Sequence, residues 1–258
     1  MQLSVITVTY NSERFIEKYL ESVLKFLPRD AELIIVDSGS EDKTVQQIYP
    51  SSRVKLIIAK ENIGFGKGNN LAAKQAKGDY LFILNPDTRF DEDPFTKLIK
   101  FAKSHPKAGI IAPKLIEESG QAQPSVRKLP TTIGALKEYY FGISKQYEAY
   151  VPEDNVPRVV ESVVGAAILI KKDLFFKLGG FDEKYFMYFE DLDLCRKVLK
   201  AGFKIYFFPQ IKIYHKVGGT VTYPEENKKW LKDSAKKYHG ISKAFVLDKI
   251  LKFRPLKR

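Results

Sequence analysis

The sequence predicts an α/β fold, with a doubly wound, mainly parallel sheet, helices on both faces and a basic helical extension at the C-terminus. Short apolar, β-branched runs alternate with segments whose apolar residues recur at helical spacing, which is the pattern of parallel strands joined by helical crossovers. With 258 residues, of which 44% are apolar, the chain can bury a sizeable core.

The first half of the chain contains four predicted strands, and these begin at Leu3, Ala31, Val54 and Tyr80. A helix is predicted over 13–27, where six apolar residues recur at helical spacing, and another over 70–79. Each helix supplies a crossover between neighbouring strands, so the predicted sheet is parallel in this half.

The second half is less regular. The polar and aromatic segment after Pro113 is predicted to be an insertion over a cleft and not a separate domain. Beyond it the sequence predicts an apolar strand at 165–170, a helix ended by glycines 179–180, a second helix over about 190–200 and a final strand pair.

The composition disfavours membrane-spanning, secreted and disulfide-bonded proteins. The apolar run at 163–170 is well below the ~20 residues that span a bilayer, and Met1 is followed by strand-like sequence, so neither a transmembrane helix nor a signal peptide is expected. The single cysteine, Cys195, excludes an internal disulfide, fits a reducing cytosol and is predicted to be a core residue. We therefore expect a cytoplasmic protein.

The formal net charge of +12 is concentrated near the C-terminus, where 221–258 contains eleven basic and four acidic residues. This segment predicts one or two basic amphipathic helices, divided at Gly240. They either hold the protein against an anionic membrane or pack on the domain with their lysines in solvent. Nucleic-acid binding is disfavoured, since the excess charge lies on a terminal segment with few aromatic residues for stacking.

Polar clusters follow all four predicted strands of the first half. These clusters are Tyr10-Asn11, Asp37-Ser38, Asn62-Ile63-Gly64 and Asn85-Pro86-Asp87. The carboxyl ends of parallel strands lie at one edge of the sheet, where ligands of such folds bind, so the clusters predict one cleft.

Three of these clusters also have a simpler interpretation. Residues 85–87 are good turn chemistry, and Asp37 can cap the next helix or accept a hydrogen bond from a pyrimidine imide. The glycine-rich 64–69 matches neither a phosphate loop nor a dinucleotide fingerprint. It is either a tight loop into a helix or a place where small residues admit a nucleotide close to the backbone.

Three acids, Glu190, Asp191 and Asp193, follow an aromatic cluster at the start of a predicted helix. Acids are favoured in the first turn of a helix, but aromatic neighbours also desolvate a carboxylate and prepare it as a general base. His215 follows an apolar strand and is either structural or a metal ligand.

Six motifs in order resemble one family. They are VTYNS, IIVDSGSEDKT, ENIGFGKGNN, FILNPDT, the run GAAILIKKDLFFKLGGFDEKYFMYFEDLDLCRK and the HKVGGT that begins at His215. Together they are similar to the family 2 inverting glycosyltransferases with the GT-A fold, and within them to the rhamnosyltransferase-like branch. The resemblance covers roughly residues 1–220.

The resemblance implies a role for each motif. Asp87 corresponds to the last acid of an Asp-Xaa-Asp motif that binds Mg²⁺ or Mn²⁺, Asn85 replaces the first acid, and His215 completes the metal shell in some relatives. Asp191 corresponds to the catalytic base. The implied nucleotide-sugar-binding residues are Thr9, Tyr10, Asn11, Asp37, Asn62, Gly64, Asn85 and Glu190.

The resemblance implies an inverting transfer, in which a sugar moves in one metal-assisted displacement from a dTDP- or UDP-sugar to a glycan or lipid-linked glycan. Rhamnose is a candidate for that sugar, and cell-envelope polysaccharide synthesis is the implied process. Residues 1–115 would bind the nucleotide sugar, 116–222 would supply the acceptor site and base, and 223–258 would be the extension. The enzyme would then lie at the inner face of the cell membrane. The alternative is a non-catalytic nucleotide-sugar or polyanion-binding protein.

Overall fold

Strands and helices alternate from Leu3 onward, as the sequence predicts. The computed structural model describes residues 2–216 and 224–254, so most of the HKVGGT motif and the last four residues lie outside the described part. The strands are β1 (Leu3–Thr9), β2 (Ala31–Asp37), β3 (Val54–Ile58), β4 (Tyr80–Leu84), β5 (Thr88–Arg89), β6 (Ala108–Ile116), β7 (Val126–Arg127), β8 (Arg158–Val160), β9 (Ser162–Val163), β10 (Ala167–Lys171) and β11 (Lys204–His215). The helices are α1 (Ile16–Phe26), α2 (Phe65–Gln75), α3 (Phe95–Ser104), α4 (Thr132–Tyr139), α5 (Lys172–Lys177), α6 (Glu190–Lys200), α7 (Pro224–His239) and α8 (Ile241–Lys252).

Within the described residues the main sheet has nine strands in the order β3-β2-β1-β4-β10-β6-β11-β5, and β8 pairs with β11 beside this path. The first four strands are parallel, and β6 is parallel to β11. β10 runs antiparallel to both of its neighbours. The predicted mainly parallel sheet is confirmed, and its parallel half presents four strand ends at one edge.

Both faces of the sheet are buried under helices. Leu3 of β1 belongs to a core cluster with Ile16 and Tyr19 of α1, whereas Ile6 belongs to a second cluster with Ala72 of α2. This alternation places successive side chains of one strand in different cores, which explains why parallel strands read as continuous apolar runs. The prediction of helices on both faces is therefore confirmed.

Cys195 lies on α6 and is buried in the second core cluster. Burial raises the pKa of its thiol to about 12, so the thiolate form is disfavoured. The prediction of a core cysteine is confirmed.

Two predicted elements were wrong. Helix α2 begins at Phe65, five residues before the predicted start at 70, because its glycines allow close helix packing: a Cβ at Gly68 would lie 2.7 Å from Val8 Cγ2. The predicted final strand pair is the single strand β11, whose register against β6 shifts between Phe208 and Lys212. Pro209, which has no N–H to donate, lies in this irregularity, and the strand continues past it to His215.

The C-terminal extension forms α7 and α8, divided at Gly240 with φ of 81°. The helices pack on the domain, since Trp230 lies 4.7 Å from Phe186 between ring centroids and Ile250 joins a small apolar cluster with Ala135 of α4. The division into two basic helices is confirmed. The faces of α7 and α8 that contact Phe186 and α4 pack on the domain, as one of the two interpretations of the extension predicts. None of the described helices has the length and apolar content needed to cross a bilayer.

Candidate active site

A cleft lies where β1, β2 and β4 end, and it extends to the start of α6 and the end of β11. Its volume is about 240 Å³. Eight of the eleven predicted site residues line it: Tyr10, Asn62, Gly64, Asn85, Asp87, Glu190, Asp191 and His215. The other three do not line it: Thr9 and Asp37 are the last residues of β1 and β2, and Asn11 lies in the loop after β1.

Thr9 and Asp37 are fully buried at paired positions of β1 and β2. Thr9 Oγ1 donates to Asp37 Oδ2 at 2.9 Å, and the Ser40 N–H donates to Asp37 Oδ1 at 2.9 Å. Asn11, with φ of 47°, joins the same loop, since the Glu41 N–H donates to its Oδ1 at 2.9 Å. Asp37 therefore caps the turn after β2 in this conformation, and its contact with a pyrimidine base stays a prediction.

Asn62 and Gly64 shape the loop into α2. Asn62 Oδ1 accepts hydrogen bonds from Ser38 Oγ at 3.2 Å and from the Gly64 N–H at 3.0 Å. Gly64 has φ of 80°, and a Cβ there would lie 2.4 Å from the Phe186 carbonyl oxygen. The position therefore needs glycine for close packing against the loop before α6.

Residues 85–87 form the turn that ends β4. Thr88 Oγ1 donates to the Asn85 carbonyl at 2.7 Å, and the Asn85 N–H donates to the Ala166 carbonyl at 2.9 Å. The turn interpretation is therefore right, but the same turn is also a wall of the cleft. Asn85 Oδ1 is buried there without a hydrogen-bond partner among the described residues.

Asp87 and His215 lie side by side in the cleft. The antiparallel pairing of β5 with the end of β11 places His215 opposite Thr88, and His215 Nε2 lies 3.5 Å from Asp87 Oδ1. His215 Nδ1 lies 2.7 Å from Gln123 Oε1, an acceptor, so Nδ1 is the protonated nitrogen and Nε2 presents its lone pair to Asp87. Asp87 Oδ1 accepts no hydrogen bond from any described residue.

The electrostatics of this pair suit a cation. Burial raises the pKa of Asp87 to about 7 and lowers the pKa of His215 to about 4. Two facing lone pairs in a poorly solvated place repel each other unless a positive charge lies between them. The described residues contain no cluster of three or more His, Cys, Asp or Glu side chains able to hold a metal, so a bound ion would need further oxygen ligands.

Glu190 and Asp191 begin α6, which spans the residues that the sequence predicted. Asp191 Oδ2 accepts a hydrogen bond from the Gly165 N–H at 3.1 Å, and Oδ1 accepts one from the Leu192 N–H at 2.7 Å. Glu190 is buried, and its Oε2 has no hydrogen-bond partner among the described residues. The cleft thus holds one oriented carboxylate and one unpartnered carboxyl group.

Burial raises the pKa of both carboxyl groups. For Asp191 the nearby Arg127 guanidinium partly opposes this rise, whereas for Glu190 the charge of Asp191 adds to it. Glu190 is therefore the member of the pair that favours its neutral form. Asp193, the third acid of the motif, is bonded to Arg196 and is structural.

The loop before α6 is strained. Tyr188 and Phe189 both have φ of 69°, a conformation that costs energy in residues other than glycine. Met187 and Tyr188 line the cleft, whereas the ring of Phe189 lies 5.2 Å from that of Tyr238 on α7. Ser234 Oγ, also on α7, donates to the Met187 carbonyl at 2.8 Å. The C-terminal extension therefore holds one wall of the cleft.

Three further residues belong to the site and were not predicted. Gln123 orients His215, Arg127 lowers the pKa of Asp191, and Gly165 admits Asp191, since a Cβ at Gly165 would lie 3.2 Å from Asp191 Cβ. Gln123 and Arg127 come from the irregular segment after Pro113, where no signal in one sequence distinguishes them from ordinary loop residues. Gly165 begins the predicted apolar strand and the motif GAAILI, but neither pattern indicates that it lies against Asp191.

The fold and the cleft define a class of protein. A doubly wound sheet with a cleft at its strand ends, an Asp–His pair suited to a cation and a separate carboxyl pair is the arrangement of a GT-A glycosyltransferase that uses nucleotide-sugar donors. The resemblance of the six motifs implied the same class.

The chain belongs to glycosyl transferase family 2, whose model matches residues 4–166, and the model for the N-terminal domain of galactosyltransferase matches 146–219. It is 30% identical over 233 residues to the N-acetylglucosaminyl-diphospho-decaprenol L-rhamnosyltransferase of Mycobacterium tuberculosis (strain ATCC 25618 / H37Rv), covering 83% of this chain and 75% of the relative. It is 29% identical over 223 residues to the rhamnosyltransferase WbbL of Escherichia coli (strain K12), covering 82% of each. The predicted family, its rhamnosyltransferase-like branch and an inverting glycosyltransferase activity are confirmed.

Solved structures show the same fold at lower identity. GalNAc-T7 with UDP, GalNAc and Mn²⁺ has a TM-score of 0.63 at 17% identity, over 86% of this chain and 45% of that one. The mannosyltransferase PcManGT from Pyrobaculum calidifontis, with GDP-Man and Mn²⁺, has a TM-score of 0.60 at 18% identity, over 99% and 66%. S. aureus TarS 1-349 with UDP-GlcNAc has a TM-score of 0.61 at 19% identity, over 97% and 72%. These likenesses confirm the GT-A fold.

Proposed function

We propose that this enzyme moves a sugar, with rhamnose the first candidate, from a dTDP- or UDP-sugar to a glycan or lipid-linked glycan acceptor. The observation that supports this most is one cleft that holds both the Asp87–His215 pair and the separately oriented carboxylate of Asp191. The names of the relatives, which specify rhamnosyl transfer and in one case a diphospho-decaprenol acceptor, support the sugar and the acceptor class.

Asp191 is the proposed general base. It takes the proton of the acceptor hydroxyl while that oxygen bonds to the anomeric carbon and the bond from this carbon to the diphosphate breaks. The N–H groups of Gly165 and Leu192 fix the orientation of its carboxylate. A retaining mechanism would need two carboxylates about 5 Å apart on either side of the bond. Glu190 and Asp191 are consecutive residues of α6, and consecutive side chains of a helix do not face each other.

Asp87 and His215 are the proposed ligands of Mg²⁺ or Mn²⁺, and Gln123 is proposed to hold the imidazole in its ligating tautomer. The unpartnered Asp87 Oδ1 supports this fit. When bound, such an ion would neutralise the negative charge of the diphosphate leaving group. Oxygens of the donor diphosphate and water would complete the coordination, and the Mn²⁺ in two structural neighbours is consistent with this.

The remaining predicted residues are proposed to bind the donor. Tyr10, Asn62, Gly64 and Asn85 line the cleft and would contact it directly. Glu190, whose burial favours the neutral carboxyl, would donate a hydrogen bond to the sugar. Thr9, Asn11 and Asp37 would support the loop beneath the base. Asp37 is fully buried, so a direct contact with the base would require the loop that contains Ser40 to move.

We propose the following division of labour along the chain. Residues 1–115 bind the nucleotide sugar, 116–222 supply the base and the acceptor side, and 223–258 form the basic extension. The pairing of β10, in the second part, with β4 and β6, which begin in the first, supports treating these two parts as halves of one domain.

Release of nucleoside diphosphate tests the proposed function. A panel of nucleotide sugars is first screened by thermal shift, and nucleoside diphosphate is then measured with Mg²⁺ or Mn²⁺, with and without glycan acceptors. We expect a dTDP- or UDP-sugar to stabilise the protein and acceptor to accelerate release. Stabilisation without release for every donor and acceptor would favour the non-catalytic binding protein.

We also propose that the enzyme attaches peripherally to an anionic membrane. Helix α8, the residue that follows it and the segment after α4 expose large apolar side chains, with Ile241 78% exposed, Phe253 65% and Phe141 74%. Lys249 lies over the rings of Phe245 and Phe253, Lys252 lies over the ring of Phe253, and Lys243 is exposed on the same helix. An apolar surface flanked by lysines matches the interface of an anionic bilayer.

Sedimentation with vesicles tests this attachment. We expect the protein to bind vesicles that contain phosphatidylglycerol, to ignore pure phosphatidylcholine and to dissociate at high salt. Because each lysine near an anionic surface contributes about 1 kcal/mol, replacing Lys243, Lys249 and Lys252 with glutamate should lower partitioning on the order of 100-fold or more.

A matched variant controls for net charge. Glutamates at Lys100, Lys103 and Lys107, exposed at the end of α3 and just beyond it, change the total charge equally. They should lower binding much less. Equal losses in the two variants, or no binding by the unchanged protein, would contradict the proposed surface.

A further inference from the structure

A second cavity lies between α7 and α8. Its volume is about 430 Å³, within the usual range for small-molecule sites. Its walls are mostly apolar side chains, contributed by Leu231 and Ala235 of α7 and by Ala244, Phe245, Leu247 and Leu251 of α8. We call it the α7–α8 groove.

Lysines line one side of this groove. Lys228, Lys232 and Lys236 are spaced four residues apart on α7, so they lie along one face of the helix. Asp248 is the acid that lines the cavity among the described residues, so the lining retains a positive excess. Lys228 and Lys236 have ion pairs with exposed acids, and such pairs are weak enough to exchange for a bound anion.

The groove and the active-site cleft share a wall. Phe189 lines the groove, whereas Met187, Tyr188, Glu190 and Asp191 line the cleft. Phe189 has a positive φ, its ring lies 5.2 Å from that of Tyr238 on α7, and the carboxyl pair follows it directly in the chain. A molecule with an apolar part in the groove can therefore present an attached group near the proposed base.

We propose that the α7–α8 groove binds the hydrocarbon chain of a lipid-phosphate acceptor, whose phosphate lies against the lysines of α7. This inference rests on the proposed transferase function and specifies the chemical class of its acceptor. The apolar walls of the groove suit a hydrocarbon chain, and the lysines beside them suit an anionic phosphate. Phe189 connects the groove to the cleft, so an acceptor bound in the groove would lie next to the proposed active site.

The test uses dodecyl phosphate, below its micellar concentration, as a probe with the full chain. Trp230, the only tryptophan of the chain, lies on α7 beside Leu231 and provides a fluorescence signal, and calorimetry gives the stoichiometry. We expect one bound molecule. Because each buried methylene raises affinity about fourfold, decyl phosphate should bind on the order of 10-fold more weakly. Dodecanol, which lacks the charge, should also bind at least 10-fold more weakly, and inorganic phosphate should compete poorly.

Two substitutions of equal bulk locate the binding. Ala244→Phe fills the groove and should weaken dodecyl phosphate binding at least 10-fold. Val246→Phe adds the same volume at an exposed position of α8 that does not line the groove, and it should leave binding unchanged. If Ala244→Phe changes the melting temperature, Leu231→Gln, at a 47% exposed side chain, replaces it and should have the same effect. The double variant Lys232→Gln/Lys236→Gln should remove the preference for the phosphate over dodecanol.

Equal binding by Ala244→Phe, Leu231→Gln and Val246→Phe would overturn the proposal, as would equal affinity for dodecyl phosphate and dodecanol. Failure of dodecyl phosphate to bind would also overturn it, and binding of an apolar peptide helix in its place would make the groove a protein-docking site. Probe binding does not require turnover, so it is independent of the transferase assay. Probe binding without sugar transfer would refute the proposed function alone, and sugar transfer without probe binding would refute the groove alone.

Discussion

We expect Asp191→Asn to lower kcat by about 10²- to 10⁴-fold, the usual contribution of a general base, while nucleotide-sugar binding stays unchanged. The amide has the same shape as the carboxylate and can still accept a hydrogen bond from the Leu192 or Gly165 N–H, but it cannot take a proton. Steady-state kinetics give kcat, and calorimetry with the donor nucleotide gives the affinity.

Asp173→Asn is the matched control, because Asp173 is an exposed acid in the first turn of α5. It should have no effect on kcat. Burial raises the pKa of Asp191. As the pH is lowered, kcat of the unchanged enzyme should therefore begin to fall at a pH above the ordinary aspartate pKa of about 3.9. The residual activity of Asp191→Asn should lack this fall. Near-full activity in Asp191→Asn would contradict the assignment.

The second large effect concerns the proposed metal ligands. Asp87→Ala should abolish the metal dependence of donor binding, and EDTA should inactivate the unchanged enzyme until Mg²⁺ or Mn²⁺ is restored. The metal-free variant should be at least as stable as the unchanged protein, because it lacks a buried carboxyl whose Oδ1 is unpartnered among the described residues. Calorimetry of nucleoside diphosphate with and without metal, together with thermal melting, measures both effects.

Two milder changes separate ligation from orientation. His215→Ala removes the proposed second ligand, and Gln123→Leu leaves that ligand but removes the acceptor for its Nδ1–H. We expect Gln123→Leu to weaken metal-dependent donor binding by about 10- to 100-fold, the usual cost of losing such a partner, with excess metal restoring part of the activity. Unchanged activity after chelation would contradict the metal role of both ligands.

Much of the fold could be predicted, because its signals are local. The strands from Leu3, Ala31 and Tyr80 are apolar runs ended by polar residues, and α6 begins with acids and ends with Lys200 before a glycine turn. Parallel strands all end at one edge, so the grouping of Tyr10, Asn85 and their neighbours followed from topology alone.

The parts that could not be predicted depend on contacts between distant segments. The earlier start of α2 reflects the packing of Gly68 on Val8, and the continuity of β11 depends on its pairing with β6 across an irregularity. Gln123 reaches His215 only because the segment after β6 folds back over the cleft. The sequence of the extension is compatible with two interpretations, since the same apolar stripe suits packing against Phe186 and contact with a bilayer.

The anomeric configuration of the product tests the central claim most directly. The transferase is incubated with its nucleotide sugar and acceptor, and proton NMR records the anomeric proton of the first product formed. One oriented base and no nucleophile predict a single displacement, so the linkage formed should be inverted relative to the donor. A product that retains the donor configuration would contradict the assignment of Asp191 as the base of a single-displacement transfer.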